Sequence, residues 1–120
     1  MPLILVNVIP ATLSDETRQD SECSIAVNPV DPRQIALTAF TRDPASSGNA
    51  PIFVSTDGGA SWALTVCVPG GNLTHDISVR FGGTTGVLYA AVLRADNSNL
   101  NILRAATFPP TSMSTGRSPC

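Results

Sequence analysis

The chain has 120 residues, of which 42% are hydrophobic and 13% are charged, and its net charge is −2. This composition is typical of a folded globular domain and excludes a disordered chain. The seven basic residues are all arginines and form no basic cluster, so we predict no nucleic-acid partner. The 10 prolines and 9 glycines interrupt the chain too often for long helices, which favours short strands joined by turns.

The first predicted element is the apolar run Leu3–Ile9, which is interrupted by Asn7. A helix that crosses a bilayer needs about 20 apolar residues, so this run is too short and we predict no membrane insertion. We interpret it as a strand. Residues 1–20 then form an N-terminal strand and linker, and the strand could close a neighbouring sheet.

Alternating apolar residues bounded by turn residues predict seven more strands. Their predicted bounds are Ser24–Val27, Ile35–Phe40, Ile52–Ser55, Trp62–Val68, Ile77–Phe81, Val87–Leu93 and Leu100–Ala106. The last part of the chain, residues 109–120, is rich in Ser, Thr and Pro and has no strand pattern, so we predict a tail there. The sequence therefore predicts an all-β chain.

An internal repeat divides the chain into two units. Glu22–Val27 aligns with Asp76–Phe81, and Ala39–Asp43 aligns with Ala91–Asp96. The period is about 50 residues, which is in the range of propeller blades. We therefore predict one unit at 21–70 and a second unit at 71–108.

One eight-residue motif stands between the third and fourth strands of the first unit. Ser55-Thr56-Asp57-Gly58-Gly59-Ala60-Ser61-Trp62 fits the pattern Ser-x-Asp-x-Gly-x-Ser/Thr-Trp throughout. It resembles the Asp box of sialidases and related BNR-repeat β-propellers. In such a turn the carboxylate accepts backbone N–H groups, glycines permit positive φ and the tryptophan packs under the turn. We therefore interpret Ser55, Asp57, Gly59, Ser61 and Trp62 as structural.

The resemblance implies a fold of antiparallel four-stranded β-propeller blades of the sialidase type. The first-strand segments Ser21–Pro29 and His75–Val79 also resemble those that flank Asp boxes. The second unit is expected to be degenerate, because Arg104–Pro110 lacks the Asp and the glycines and no fourth strand is predicted after it. Two blades cannot close a ring. We expect either self-association, with a trimer favoured, or a place within a longer propeller chain.

The resemblance also implies a ligand-binding end. In a propeller blade the first strand begins at the end that bears the ligand site, and the Asp-box turn lies at the opposite end. The candidate ligand-binding residues are Glu22, Arg42, Asp43, His75, Asp76, Arg80, Arg94 and Asp96. Arg80 could point into a central channel. The alternative is that these residues are solvated loop charges without a binding role.

The residues of sialidase catalysis are not present as a set. Sialidases use three arginines, a tyrosine nucleophile and an acid, whereas the single tyrosine here, Tyr89, lies in a predicted strand and is interpreted as core. We therefore predict no catalytic residues and a non-catalytic module that binds a glycan or a protein. The alternatives are a fragment of a sialidase-like glycoside hydrolase and a purely structural self-assembling unit.

The three cysteines, Cys23, Cys67 and Cys120, have no metal-ligand spacing, and we predict neither a metal nor a cofactor. We expect Cys23 and Cys67 to be buried thiols on strands too far apart for a disulfide. Asn72-Leu73-Thr74 matches the glycosylation sequon, which for a eukaryotic source indicates an extracellular or secreted location.

Overall fold

The structure is a computed structural model that describes residues 3, 5–9, 21–40, 51–67, 74–94 and 100–115. Within these residues the only regular elements are strands, which form two four-stranded antiparallel sheets. Sheet 1 contains β1 (Ser21–Val27), β2 (Ile35–Phe40), β3 (Pro51–Ser55) and β4 (Ala63–Cys67); sheet 2 contains β5 (Thr74–Phe81), β6 (Leu88–Arg94), β7 (Leu100–Ala105) and β8 (Met113–Thr115). The all-β prediction is therefore confirmed. The described part of the chain holds no helix long and apolar enough to span a membrane.

The strands of each sheet follow one another in chain order, so each sheet is a simple antiparallel meander. The seven strands predicted between Ser24 and Ala106 are all present, and their ends differ from the predicted ends by at most three residues. The alternation of apolar residues explains this agreement, because each strand buries every second side chain against the other sheet.

The core lies between the two sheets, where the inner face of sheet 1 packs against the inner face of sheet 2. β5 packs on both β1 and β2. The side chains that β1 and β2 present there are small, Ala26 and Ala36, so the larger Val79 of β5 can approach and is fully buried. The backbone N–H of Val79 also donates to the hydroxyl of Ser24 across the interface, with an N–O distance of 3.2 Å.

The remaining core residues extend this interface towards the later strands of each sheet. They are Ile52 and Val54 from sheet 1, and Ile77, Leu88, Ala90, Val92, Leu103, Ala105 and Met113 from sheet 2.

The two outer faces of the sheet pair are covered to different extents. On the outer face of sheet 1, Ile9 packs with Ala39 and Phe53 in a second, smaller cluster, and Val8 packs against it. On the outer face of sheet 2, pairing between the strands places Arg80, Tyr89 and Arg104 in one row, and Tyr89 and Arg104 are exposed. The sheet pair is thus covered on one outer side by the N-terminal segment and open on the other.

Two predictions at the chain ends were wrong. The described residues of Leu3–Ile9 are not in a strand, because Val8 and Ile9 place apolar side chains on a sheet face instead of pairing at a sheet edge. The predicted tail contains β8, the fourth strand of sheet 2, whose Met113 pairs with Ala105 and is buried in the core. A three-residue strand is too short to show alternation in the sequence.

Two predictions of burial were also wrong. Cys23 is exposed and its thiol is free, since it lies near the start of β1, which is the edge strand of sheet 1. Tyr89 was expected in the core, but Leu88 and Ala90 take the inward positions of β6 and turn Tyr89 outward.

A buried, hydrogen-bonded amide lies where the two sheets meet at the end of β1. The side chain of the buried Asn28 accepts a hydrogen bond from the N–H of Val30 at 2.9 Å and donates to the side-chain oxygen of Gln34 at 2.7 Å. Gly86, which precedes β6, has φ +63° and lies against this amide. A Cβ atom at Gly86 would be 3.0 Å from the Asn28 side-chain nitrogen.

We predict that Gly86→Ala destabilises the fold by about 1 to 3 kcal/mol, because alanine disfavours the left-handed conformation and its methyl group would crowd Asn28. The matched control is Gly83→Ala in the same turn, where a Cβ atom would meet nothing within 4 Å. We expect the control to change stability by less than about 0.5 kcal/mol. Urea unfolding of the three proteins measures both values, and equal stability of the two variants would contradict the role of the Asn28 contact.

Candidate functional site

The turn from Ser55 to Trp62 is closed by hydrogen bonds from its own residues. The carboxylate of Asp57 accepts the hydroxyl of Ser55 at 2.7 Å, the N–H of Ser61 at 2.9 Å and the hydroxyl of Ser61 at 2.5 Å. The buried Ser55 oxygen accepts the N–H of Gly59 at 2.8 Å, and the indole N–H of Trp62 donates to the carbonyl of Gly59 at 3.0 Å. Both oxygens of Asp57 are therefore used in holding the turn.

The geometry of the turn depends on two glycines. Gly58 and Gly59 have φ values of +76° and +94°. The N–H of Gly58 donates to the carbonyl of Arg33 at 2.9 Å, which ties the turn to the β1–β2 connection. The hydrogen bonds from Ser61, first its hydroxyl and then its N–H, together with the hydroxyl of Ser55, lower the pKa of Asp57 to about 2.

Strand register places this turn and the start of β1 at opposite ends of sheet 1. Val27, Ile35 and Ser55 form one row of paired residues at the end where the turn lies. Ser21 pairs with Phe40 at the other end. We call this other end, where β1 and β5 begin, the strand-start end. Glu22 is therefore separated from the turn between Ser55 and Trp62 by the length of the sheet.

Glu22 lies at an irregular position of β1. Between Ser21 and Ser24 the pairing with β2 shifts, so that β1 has one more residue than its partner. Glu22 has φ +56°, which makes it a non-glycine residue in the left-handed region. The irregularity places an exposed carboxylate at the strand-start end of sheet 1.

Asp76 lies at a corresponding irregularity of β5. The register with β6 shifts between Thr74 and Ile77, and Asp76 is exposed. His75 lies in the same irregular stretch of the backbone, and Arg94 lies opposite Thr74 on β6. Sheet 2 thus has the same feature as sheet 1, an acidic residue at a register shift near the start of its first strand.

The contact between β1 and β5 lies within a few residues of both acids. Ser24 accepts the hydrogen bond from Val79, and Glu22 and Asp76 precede these two residues by two and three positions. A strand rises by about 3.3 Å per residue, so both acids lie within a few residues' length of the same contact.

The remaining candidate residues are distributed as follows. Arg42, Asp43 and Asp96 lie outside the described residues. Arg80 lies four positions beyond Asp76 on β5, and its guanidinium donates to the carbonyl of its neighbour Val79 at 3.0 Å. The structure therefore does not bring Arg80 to the strand-start end.

Sequence analysis missed the roles of Ser24, which accepts a hydrogen bond from sheet 2, and of Asn28, which braces the β1–β2 turn beside Gly86. The signal for Asn28 was available, since an Asn before Pro29 and Val30 is typical of a side chain that bonds the backbone two residues on. For Ser24 the sequence carries no such signal, because its hydrogen bond reaches a residue 55 positions away.

No three acidic, histidine or cysteine side chains group as metal ligands within the part of the chain that the structure describes. A scan against protein-family models and searches of curated proteins and of solved structures find no match to this chain.

We predict that Asp57→Asn lowers stability and flattens its dependence on acid pH. Since the folded-state pKa of about 2 lies below the ordinary value of 3.8, the unfolded chain takes up the proton first as the pH falls. The stabilisation is present above a pH of about 3.8 and is lost as the pH falls towards about 2. Urea midpoints measured across this range test the prediction.

The comparison variant for this test is Asp31→Asn. The pKa of Asp31 is also lowered, first by its side-chain hydrogen bond from Arg33, but all these bonds come from one exposed residue, whereas Asp57 joins Ser55 and Ser61 across the turn. We expect Asp31→Asn to keep most of the acid dependence of the wild type. If Asp57→Asn retained the full dependence, the Asp57 carboxylate would not be what fixes the turn.

Proposed function

We propose that this chain is a pair of sialidase-like β-propeller blades that acts as a non-catalytic recognition module for a glycan. The blade proposal is supported by two consecutive four-stranded antiparallel meanders that pack face to face through their first strands. It is also supported by the hydrogen bonding of the Asp57 turn, which has the residues of an Asp box and lies at the β1 end opposite Glu22.

The observation that carries the recognition proposal is the pair of exposed acids at the strand-start end. Glu22 and Asp76 occupy register shifts near the start of β1 and β5, next to the contact between the two sheets. Ionised carboxylates are acceptors only, and sugar hydroxyl groups supply the matching donors. The positive φ of Glu22 adds support, because strained backbone is often kept at binding sites.

The non-catalytic part of the proposal rests on the place of the single tyrosine. Tyr89 lies on the outer face of sheet 2, and both of its cross-strand partners, Arg80 and Arg104, are arginines and not acids. A sialidase nucleophile is activated by an acid beside it. A hydrolase fragment and a purely structural unit are the alternatives to recognition.

The test is binding of the purified chain to an array of defined neutral and acidic oligosaccharides, followed by titration of the best binder. We expect Glu22→Gln and Asp76→Asn each to weaken binding by about tenfold or more, because a hydrogen bond to a charged group contributes about 1.5 to 3 kcal/mol. Asp31→Asn is the matched control, since this acid lies in the turn at the opposite end of β1 and should bind as the wild type does.

Three results would contradict the proposal. Equal weakening by all three variants would mean that overall charge, not the strand-start end, governs binding. Turnover of a fluorogenic sialoside would favour the hydrolase alternative. Failure to bind any oligosaccharide would favour a protein ligand or a structural role, and binding of a basic peptide that weakens with salt would identify the first of these.

A further inference from the structure

Both outer faces of the sheet pair expose large apolar side chains beside the first strands. On the outer face of sheet 1, Ile25 and Val27 are 55% and 52% exposed. On the outer face of sheet 2, Tyr89 and Ile102 are 37% and 54% exposed. Apolar residues grouped on a sheet face are typical of surfaces that a second structure covers.

The internal repeat relates each exposed face to a buried one. Aligning Glu22–Val27 with Asp76–Phe81 makes Ile25 equivalent to Val79, which is fully buried, and Val27 equivalent to Phe81, which packs against the core. The outer face of sheet 1 is therefore equivalent to the face of sheet 2 that already packs on sheet 1.

The same relation holds for the outer face of sheet 2. The repeat makes Arg80 equivalent to Ala26. Since Arg80 pairs with Tyr89 and Ala26 pairs with Ala36, Tyr89 is equivalent to Ala36. Pairing extends the correspondence to β3 and β7 and makes Ile102 equivalent to Ile52. Ala36 and Ile52 are fully buried between the sheets. This register differs by one residue from the sequence alignment of Ala39 with Ala91.

We propose that a second copy of this chain docks its outer face of sheet 1 onto the outer face of sheet 2. The contact would use the repeat equivalents of the faces in contact within the chain, with Ile25 and Val27 of the second copy in the places of Val79 and Phe81. Because Arg80 and Tyr89 stand where sheet 1 has Ala26 and Ala36, the two copies would lie farther apart than the two sheets of one chain. The occupant is a copy of this chain because its two outer faces are the repeat equivalents of the two faces already in contact.

Polar groups fit the same arrangement. Ser78 is exposed and equivalent to Ser24, whose hydroxyl accepts the N–H of Val79 within the chain, so it offers the second copy a polar group at the corresponding position. An open depression of about 300 Å³, lined by Tyr89, Ile102, Leu103 and Arg104, leaves room for entering side chains. The arginines of this face, Arg80 and Arg104, are long enough to lay their stems along apolar surface and keep their charges at the rim.

The N-terminal segment covers only part of the outer face of sheet 1. Val8 and Ile9 pack against the cluster that contains Ala39 and Phe53, whereas Ile25 and Val27 on β1 remain exposed. The internal interface also depends on the first strands, since β5 packs on β1 and β2.

The proposed contact joins two different faces, so every copy has one face of each kind. If the same rotation relates each copy to the next, the copies either close into a ring or continue as an open filament. Two, three or four copies would supply about four to eight sheets, which is the range of closed propellers. We infer a closed ring, whose mass is a fixed multiple of the 12.5 kDa chain.

The test is light scattering of the full chain and of three arginine variants. Ile25→Arg changes only the outer face of sheet 1 and Ile102→Arg only that of sheet 2, and each residue is exposed, so both variants should fold with the strand content of the wild type. We expect the wild type to be a discrete oligomer and each variant alone to fall to 12.5 kDa. Val30→Arg is the matched control, because Val30 is exposed in the β1–β2 turn outside both faces, and it should keep the oligomer.

Mixing the two variants separates this contact from a symmetric one. Each variant keeps the face that the other has lost, so the mixture should form a pair with one intact contact and no ring. Oligomers that survive either substitution, variants that stay apart when mixed, or a wild type that is monomeric at every soluble concentration would each overturn the proposal. None of these outcomes depends on glycan binding, so the docking proposal and the proposed function can fail separately.

Discussion

The arrangement of the molecule depends on how closely β5 can approach the first two strands of sheet 1. That approach is possible because β1 and β2 present Ser24, Ala26 and Ala36 to the interface instead of large side chains. Close-packed cores leave little room for substitution at such positions. The small residues also let the Val79 N–H reach the Ser24 hydroxyl. This hydrogen bond fixes the position of β5 along β1, and so the position of one sheet along the other. Glu22 and Asp76 precede Ser24 and Val79 by two and three residues, so both acids lie close to this hydrogen bond.

The two ends of sheet 1 have different physical characters. At one end the Asp57 turn satisfies its carboxylate and its buried serine hydroxyl internally, and the turn is tied to the β1–β2 connection through Gly58 and Arg33. At the other end, β1 and β5 deviate from regular pairing and present acids to solvent. The Asp57 carboxylate holds its own turn, whereas Glu22 and Asp76 lie at register shifts, where the backbone departs from regular pairing and a ligand can approach. The proposed division between a structural end and a recognition end rests on this contrast.

The sequence allowed the strands to be predicted, but not the side of each sheet that would be covered. Alternation located seven strands because burial of every second residue is a local pattern. The same pattern cannot say whether Tyr89 or its neighbours face inward, since a strand offers two faces and the choice depends on where the other sheet lies. β8 was missed for a related reason: Met113 is held by pairing with Ala105 and by the core, not by any local preference. For the site, the acids were predicted from the ligand-binding end that the resemblance to propeller blades implies, whereas their register shifts and the Ser24 contact are tertiary features.

The two sheets also complete their fourth strands by different means, which explains how the second unit can lack the residues of the Asp57 turn. In sheet 1 the chain turns between β3 and β4 through glycines and a hydrogen-bonded carboxylate. In sheet 2 the β7–β8 connection has no such carboxylate; instead Phe108 packs on Phe81, with ring centroids 5.4 Å apart, and Pro110 is fully buried. Aromatic packing and apolar burial stabilise this connection, and Met113 then enters the core beside Ala105. The second unit lacks the sequence motif but still forms a complete four-stranded sheet. A fourth strand needs a turn that is held in place, and either a hydrogen-bonded carboxylate or apolar packing can hold it.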